Sequence, residues 1–122
     1  MIALAVALAA AVGAPARYLV DGFVSARTRG LPWGTFAVNV SGSFVLGLLA
    51  GIALHARVPD VTGALVGTGF CGAFTTWSTL SWETVRLVEE RAYAAAAANM
   101  LGSLAAGLLV AALGVALGAR LA

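Results

Sequence analysis

Charged side chains are scarce in this chain of 122 residues. Only 10% of the residues are charged, 61% are hydrophobic, and the mean hydropathy is +0.99. A soluble domain carries about a quarter charged residues. This chain could not cover a water-facing surface, so the composition predicts an integral membrane protein, and the length allows one domain, residues 1–122.

Other residue types are rare as well, and their scarcity excludes several functions. All seven basic residues are Arg, and a net charge of +2 with scattered Arg does not indicate nucleic-acid binding. The single cysteine, Cys71, excludes an intrachain disulfide. His55 is the only histidine, so the chain has no Ser-His-Asp set, and it has neither a metal-ligand cluster nor a phosphate loop. We therefore expect no enzyme.

Four hydrophobic segments are present, separated by short polar loops. They span about residues 2–24, 35–54, 61–88 and 92–119. The first lacks a basic region at its start, which predicts a retained helix and not a removed signal. Four segments place the loops on two sides of the membrane, and the number of Arg residues differs only weakly between those sides. We therefore expect a chain that inserts in both orientations and forms an antiparallel dimer, with a site near mid-membrane.

The third segment is unusual for a membrane helix. Gly67, Gly69 and Gly72 weaken the helix, and five hydroxyl residues follow between positions 75 and 81. This pattern predicts a helix that breaks near mid-membrane. Irregular backbone at that depth survives only inside protein or beside a water-filled cavity, and the freed backbone groups suit ions. A helix-packing face rich in small residues is the alternative.

Two polar residues inside the other segments are candidate functional groups. Asn39 lies in the uncharged second segment, where its amide must find partners; it could join two helices or face an anion. Arg17 lies deeper in the first segment than Asp21, and an intramembrane charge indicates function. Gly47 and Gly51 form a GxxxG pattern, which predicts close helix packing.

Four motifs resemble those of the Fluc (CrcB) family of fluoride channels, which are small four-helix membrane proteins that work as antiparallel dimers. Residues 13–18 read GAPARY, and residues 34–44 read GTFAVNVSGSF. Residues 69–83 read GFCGAFTTWSTLSWE, and Ser103 fits the spacing of the fourth segment. The motifs occur in order, so the resemblance covers nearly the whole chain.

The resemblance implies roles for particular residues. Asn39 would contact fluoride, and Arg17 would lie near the pore vestibule. The rest of the ion path would comprise Trp77, Ser78, Thr79, Leu80, Glu83 and Ser103. Backbone carbonyls of Gly72 and Thr75 would hold a structural, untransported Na⁺ at the dimer centre. From the residues alone, a carboxylate suits an anion path poorly, and Glu83 also fits a helix-end residue bonded to hydroxyls or Arg.

Three residues depart from the family pattern. The family usually has Phe at the positions of Trp77 and Leu80, where ring edges face the anion, and commonly Tyr at the position of Asn99. Trp77 retains an edge and an N–H donor, whereas Leu80 has neither. One pore of the dimer could therefore be defunct, or the chain could be one subunit of a heterodimer with a related chain.

The leading interpretation is a passive channel in the cell membrane that exports toxic fluoride from the cytoplasm. A small proton-coupled drug exporter is the alternative, but it needs a titrating carboxylate deep in a helix, and Glu83 lies towards the end of its segment. A non-transporting membrane assembly subunit is a third interpretation, supported by the Ala- and Gly-rich fourth segment.

Overall fold

The computed structural model describes all 122 residues, and every regular element in it is helical. The α-helices are α1 (Ile2–Ser25), α2 (Trp33–His55), α3 (Asp60–Gly63), α4 (Gly72–Phe74), α5 (Trp77–Glu89) and α6 (Tyr93–Leu121), and a π-helix, π1 (Ala64–Cys71), joins α3 to α4. The four predicted segments are confirmed to within two residues at each end. The third segment is a succession of α3, π1, α4 and α5.

Three helices are long and apolar enough to cross a membrane. They are α1, α2 and α6, whose lengths are 24, 23 and 29 residues. Their outward faces carry many exposed Leu side chains, including Leu8, Leu108 and Leu113. Exposed apolar surface on this scale is unfavourable in water, which supports the prediction of a membrane protein.

Helices α2 and α6 pack at very short range along a seam of glycines. A Cβ atom added to Gly47 or Gly51 would collide with the backbone carbonyls of Ala111 and Val115 on α6. In the reverse direction, a Cβ on Gly114 would lie 2.6 Å from the carbonyl oxygen of Phe44. The sequence prediction of close packing at the GxxxG pattern is therefore confirmed, with α6 as the partner.

One glycine of the third segment, Gly69, also serves close packing, which is the alternative that the sequence left open for this segment. The helix continues through Gly67 and Gly69 as π1, and a Cβ on Gly69 would lie 2.9 Å from the carbonyl oxygen of Val6 on α1. From the other side, a Cβ on Gly13 would lie 2.5 Å from the carbonyl oxygen of Phe70. These glycines bring π1 and α1 into backbone contact.

The helical path is interrupted after Phe74, several residues beyond those glycines. Thr75 and Thr76 adopt extended backbone, with φ/ψ of −78°/158° and −149°/120° respectively. Helix α5 then begins at Trp77. The two threonines therefore separate α4 from α5, whereas the depth of this interruption in a bilayer stays a prediction.

Candidate ion site at the interruption of the third segment

The interruption is held by one side chain from α2. The Nδ2 atom of Asn39 donates to the carbonyl oxygen of Thr76 at 2.9 Å, and the backbone N–H of Thr76 donates to Oδ1 of Asn39 at 2.7 Å. The backbone N–H and carbonyl of Thr76 have no helical partners, and unpaired backbone groups are costly away from water. The amide of Asn39 replaces those partners on both sides, so it does join two segments. One N–H of its amide remains without an acceptor in the chain.

Hydroxyl groups cluster directly after the interruption. The Oγ1 atom of Thr76 accepts the backbone N–H of Thr79 at 3.2 Å, so Thr76 caps the start of α5. The same oxygen lies 3.2 Å from Oγ of Ser78 and 3.1 Å from Oγ1 of Thr79. Three hydroxyls that can rotate and exchange protons therefore meet at one point.

A first cleft of about 320 Å³ opens beside this cluster, between α2, α5 and α6. Its polar lining includes Asn39, Ser43, Thr76 and Ser103, and its apolar lining includes Leu46, Trp77, Leu80, Leu104 and Leu108. Ser103 is 7% exposed, and its Oγ has no hydrogen-bond partner. A buried hydroxyl without a partner is uncommon, so the first cleft has unused hydrogen-bonding capacity.

A second cleft, of about 140 Å³, also borders Thr76 and lies between α1, α2 and α5. It is lined by Ala14, Arg17, Tyr18, Asp21, Thr35, Val38, Thr76 and Thr79. Arg17 forms no salt bridge with Asp21, whose carboxylate accepts the hydroxyl of Ser25 at 3.1 Å instead. The Arg17 guanidinium is therefore a positive group in a small polar cleft.

Glu83 lines neither of these clefts, although it bonds to Thr35, which lines the second. Its Oε1 accepts the hydroxyl of Thr35 at 2.8 Å, and its buried Oε2 has no partner. It lines a third cleft of about 250 Å³ with Trp82, Arg86 and Glu90. Arg86 forms its ion pair with Glu90 at 3.2 Å and not with Glu83. The contact agrees with the interpretation of Glu83 as a residue bonded to hydroxyls, but Glu83 lies in the middle of α5, so its predicted place at a helix end is wrong.

The predicted path residues therefore divide into three groups. The first cleft takes Asn39, Trp77, Leu80 and Ser103; the second takes Arg17 and Thr79; and the third takes Glu83. Ser78 is exposed and touches the first two groups only through the hydroxyl of Thr76. Leu80 is 4% exposed, whereas Trp77 is 62% exposed in the single chain.

Sequence reasoning assigned no role to Thr35, Thr76 or Thr84. Asn99 donates to Oγ1 of Thr84 at 2.9 Å, and Thr84 donates to the carbonyl oxygen of Leu80 at 2.8 Å. Asn99 therefore ties α6 to α5 in this chain. Thr35 and Thr76 could have been suspected because a hydroxyl in a membrane segment needs a partner, but nothing in the sequence names that partner.

The carbonyls predicted for a cation lie where α4 ends. Thr75 donates both its backbone N–H and its hydroxyl to the carbonyl oxygen of Cys71, each at 2.9 Å, while its own carbonyl accepts no hydrogen bond. Gly72 is exposed, and a Cβ added there would make only one ordinary contact, at 3.8 Å from the carbonyl oxygen of Gly67. No group of three or more His, Cys, Asp or Glu side chains is placed to hold a metal, so a cation here would depend on backbone oxygens.

The fold and this site define a class of protein: a small helical membrane protein with polar clefts at an interrupted segment. A family model described as "CrcB-like protein, Camphor Resistance (CrcB)" matches residues 4–115. A protein of Streptomyces avermitilis named "Fluoride-specific ion channel FluC 1" is 52% identical over 107 residues, covering 87% of this chain and 86% of that protein.

Other organisms carry similar proteins. One of Frankia casuarinae, also named "Fluoride-specific ion channel FluC 1", is 51% identical over 114 residues and covers 88% of each chain. One of Methanocaldococcus jannaschii, named "Fluoride-specific ion channel FluC", is 49% identical over 89 residues, covering 73% of this chain and 71% of that protein. The chain belongs to the CrcB (Fluc) family, which confirms the resemblance found on the four motifs.

Proposed function

We propose that this chain is a passive, fluoride-selective channel that lets fluoride leave the cytoplasm across the cell membrane. The similar proteins are named as fluoride-specific ion channels. A passive pore suits export because a membrane potential that is negative inside drives an anion outwards. At 100 mV this drive is about 2.3 kcal/mol per elementary charge.

One observation carries the proposal: Asn39, whose amide has a free N–H, and Ser103, whose hydroxyl has no partner, line the same cleft. Fluoride is small and strongly hydrated, so a pore must replace its water with hydrogen-bond donors. In the first cleft, amide and hydroxyl groups supply such donors without a fixed positive charge. Thr79 and Arg17 extend the donors into the second cleft.

A second copy of the chain would complete the first cleft. Its apolar wall includes Leu46, Leu104 and Leu108, which are 38%, 41% and 72% exposed in the single chain. With this wall exposed, an ion path in the cleft would face lipid directly. A helix of the partner would cover the wall. We propose an antiparallel dimer, because the weak bias of Arg between loops permits both orientations.

The partner could also be a related chain, because Leu80 is unusual for this family. Leu80 lines the first cleft with an alkyl group that cannot donate to an anion. In a heterodimer, the related subunit would supply the aromatic edges that this chain lacks. Coexpression with such a subunit, followed by flux measurements on the separated dimers, distinguishes the two assemblies.

A structural Na⁺ fits the free carbonyl of Thr75 and the exposed backbone of Gly72. A two-fold axis would bring the two carbonyl oxygens of each chain together, so that four oxygens surround the ion. Backbone carbonyl oxygens are common ligands for hard monovalent cations. The bound ion would hold the ends of the two α4 helices together. Replacing Na⁺ with N-methylglucamine is expected to lower both dimer stability and flux, and unchanged values of both would count against the site.

Fluoride efflux from liposomes, followed with an ion-selective electrode, tests the channel itself. The purified chain is reconstituted as a dimer in Na⁺ with a K⁺ gradient and valinomycin to set the potential. Rapid efflux of fluoride without a proton gradient supports the proposal. Efflux equal to that of empty vesicles, for both the homodimer and the coexpressed pair, rejects it. Transport of organic cations driven by a pH gradient would indicate the exporter instead.

A further inference from the structure

Thr76 is the one residue that lines both the first and the second cleft. Its backbone is held by Asn39, and its side chain is 9% exposed. Donors lie on each side of it: Asn39 and Ser103 in the first cleft, and Arg17 and Thr79 in the second. The side chain of Thr76 therefore stands between two groups of donors as a partition.

The hydroxyl of Thr76 is also shared between the two sides. It has one proton and three neighbours: the backbone N–H of Thr79 that it accepts, and the hydroxyls of Ser78 and Thr79 at 3.2 and 3.1 Å. Because a hydroxyl rotates about its C–O bond, this proton can point to either cleft while the oxygen still accepts the N–H. A fixed donor such as a backbone N–H could serve one cleft only.

The unpartnered Ser103 supplies an independent sign of a ligand on the first side. Its Oγ is buried and has no partner within the chain. A nearly buried hydroxyl of this kind is normally satisfied by protein, water or a ligand. Since it lines the cleft that Thr76 closes, an anion bound beside Ser103 would need a new donor at Thr76 to move on.

We propose that Thr76 is the specificity-determining residue at which an anion passes between the two clefts. Its hydroxyl donates to the ion in turn from each side, and its methyl group keeps the passage too narrow for larger anions. This inference rests on the proposed function, since it assumes that the conducted anion is fluoride. It assigns to Thr76 a role distinct from the structural caps and clamps that it also forms.

Substitutions of Thr76 distinguish the effect of its hydroxyl as a hydrogen-bond donor from the effect of its side-chain size. Thr76→Val keeps the shape but removes the hydroxyl, so fluoride efflux is expected to fall roughly tenfold or more, the value of one hydrogen bond to a charged group. Thr76→Ser keeps the hydroxyl and the cap, so efflux is expected to stay within about threefold of wild type. Thr68→Val, an exposed site on π1, is the matched control and should leave efflux unchanged.

Chloride flux distinguishes the partition from a merely structural cap. Thr76→Ala and Thr76→Val lose the same hydroxyl and the same cap, and they differ only in bulk. The Ala variant is expected to pass chloride roughly tenfold faster than the Val variant, since only Ala opens the passage. Equal chloride fluxes in folded Ala and Val variants overturn the partition, and unchanged fluoride flux in Thr76→Val overturns the donor role.

Two further measurements keep these results interpretable. Gel filtration and thermal unfolding show whether each variant is folded. If the Ala and Val variants are not folded, Thr76→Ser, which retains the cap, is compared with wild type instead. In that case, a chloride-to-fluoride flux ratio of the Ser variant equal to wild type overturns the partition. If wild type itself conducts no fluoride, the proposed function fails first; if wild type conducts and the variants behave as wild type, only the role of Thr76 fails.

Discussion

Replacing Asn39 with alanine tests the central contact of the structure. The substitution removes both hydrogen bonds to Thr76 and the free N–H of a residue that lines the first cleft. Hydrogen bonds between membrane helices contribute about 0.6 kcal/mol on average and up to about 1.7 kcal/mol. The pair therefore contributes roughly 1 to 3 kcal/mol, and leaving the backbone of Thr76 unpaired favours the upper part of that range.

The loss of flux should exceed what this destabilisation explains. A domain that is stable by several kcal/mol stays folded after losing roughly 1 to 3 kcal/mol, so we expect Asn39→Ala to form a dimer. Fluoride efflux should nevertheless fall at least about tenfold, because the ion loses a donor and the interruption loses its clamp. Ser41→Ala is the matched control: its hydroxyl bonds only to carbonyls of its own helix, at 2.6 and 3.1 Å.

The assay has two readouts on the same preparation: efflux by fluoride electrode and the free energy of unfolding in mild detergent with increasing denaturant. Wild-type efflux in Asn39→Ala would remove Asn39 from the ion path. Wild-type stability would show that the pairing with Thr76 contributes nothing. Loss of efflux with unchanged stability would support Asn39 as a donor to the ion and would refute its role in holding the backbone of Thr76.

Three other substitutions test separate parts of the structure. Leu80→Phe should preserve or raise fluoride efflux if a ring edge helps the ion, and lower efflux would mean that this cleft is built differently around Leu80. Gly114→Ala should lower the free energy of unfolding by about 1 to 3 kcal/mol, because its Cβ would meet the backbone of α2. Gly102→Ala, at a site with open space, should lower it far less. Equal losses would refute the close packing of α2 and α6. Thr35→Val leaves Glu83 without its donor and should lower thermal stability by about 1 to 3 kcal/mol, whereas the exposed control Thr62→Val should not.

The third segment shows where local sequence information ends. Its glycines and hydroxyls indicated irregular helix, and π1 together with the extended Thr75 and Thr76 is irregular. The interruption lies beyond the glycines, at Thr75 and Thr76, and Gly69 serves the close packing that the sequence offered as the alternative. Gly69 meets the backbone of Val6 on α1, a partner about sixty residues away in the chain, and no helix propensity reports contact at that separation.

Asn39 illustrates the same limit from the other side. The sequence left open whether its amide joins helices or faces an anion, because both environments satisfy a buried amide. The structure pairs it with Thr76 through two atoms and leaves one N–H free at a residue that lines the first cleft. The two alternatives are therefore compatible at one residue, since an amide has two donor and two acceptor positions to divide between them.

The sequence alone determined the environment and the number of helical segments, because transfer of apolar side chains into a membrane depends on composition summed along the chain. It also carried the family, through motifs spread over all four segments. Only the tertiary structure decided which groups meet: Thr76 with Asn39, Glu83 with Thr35, and Gly114 with the backbone of α2. Those pairings depend on how the helices pack against one another, and a hydroxyl, an amide or a glycine has the same local preference whichever partner it finds.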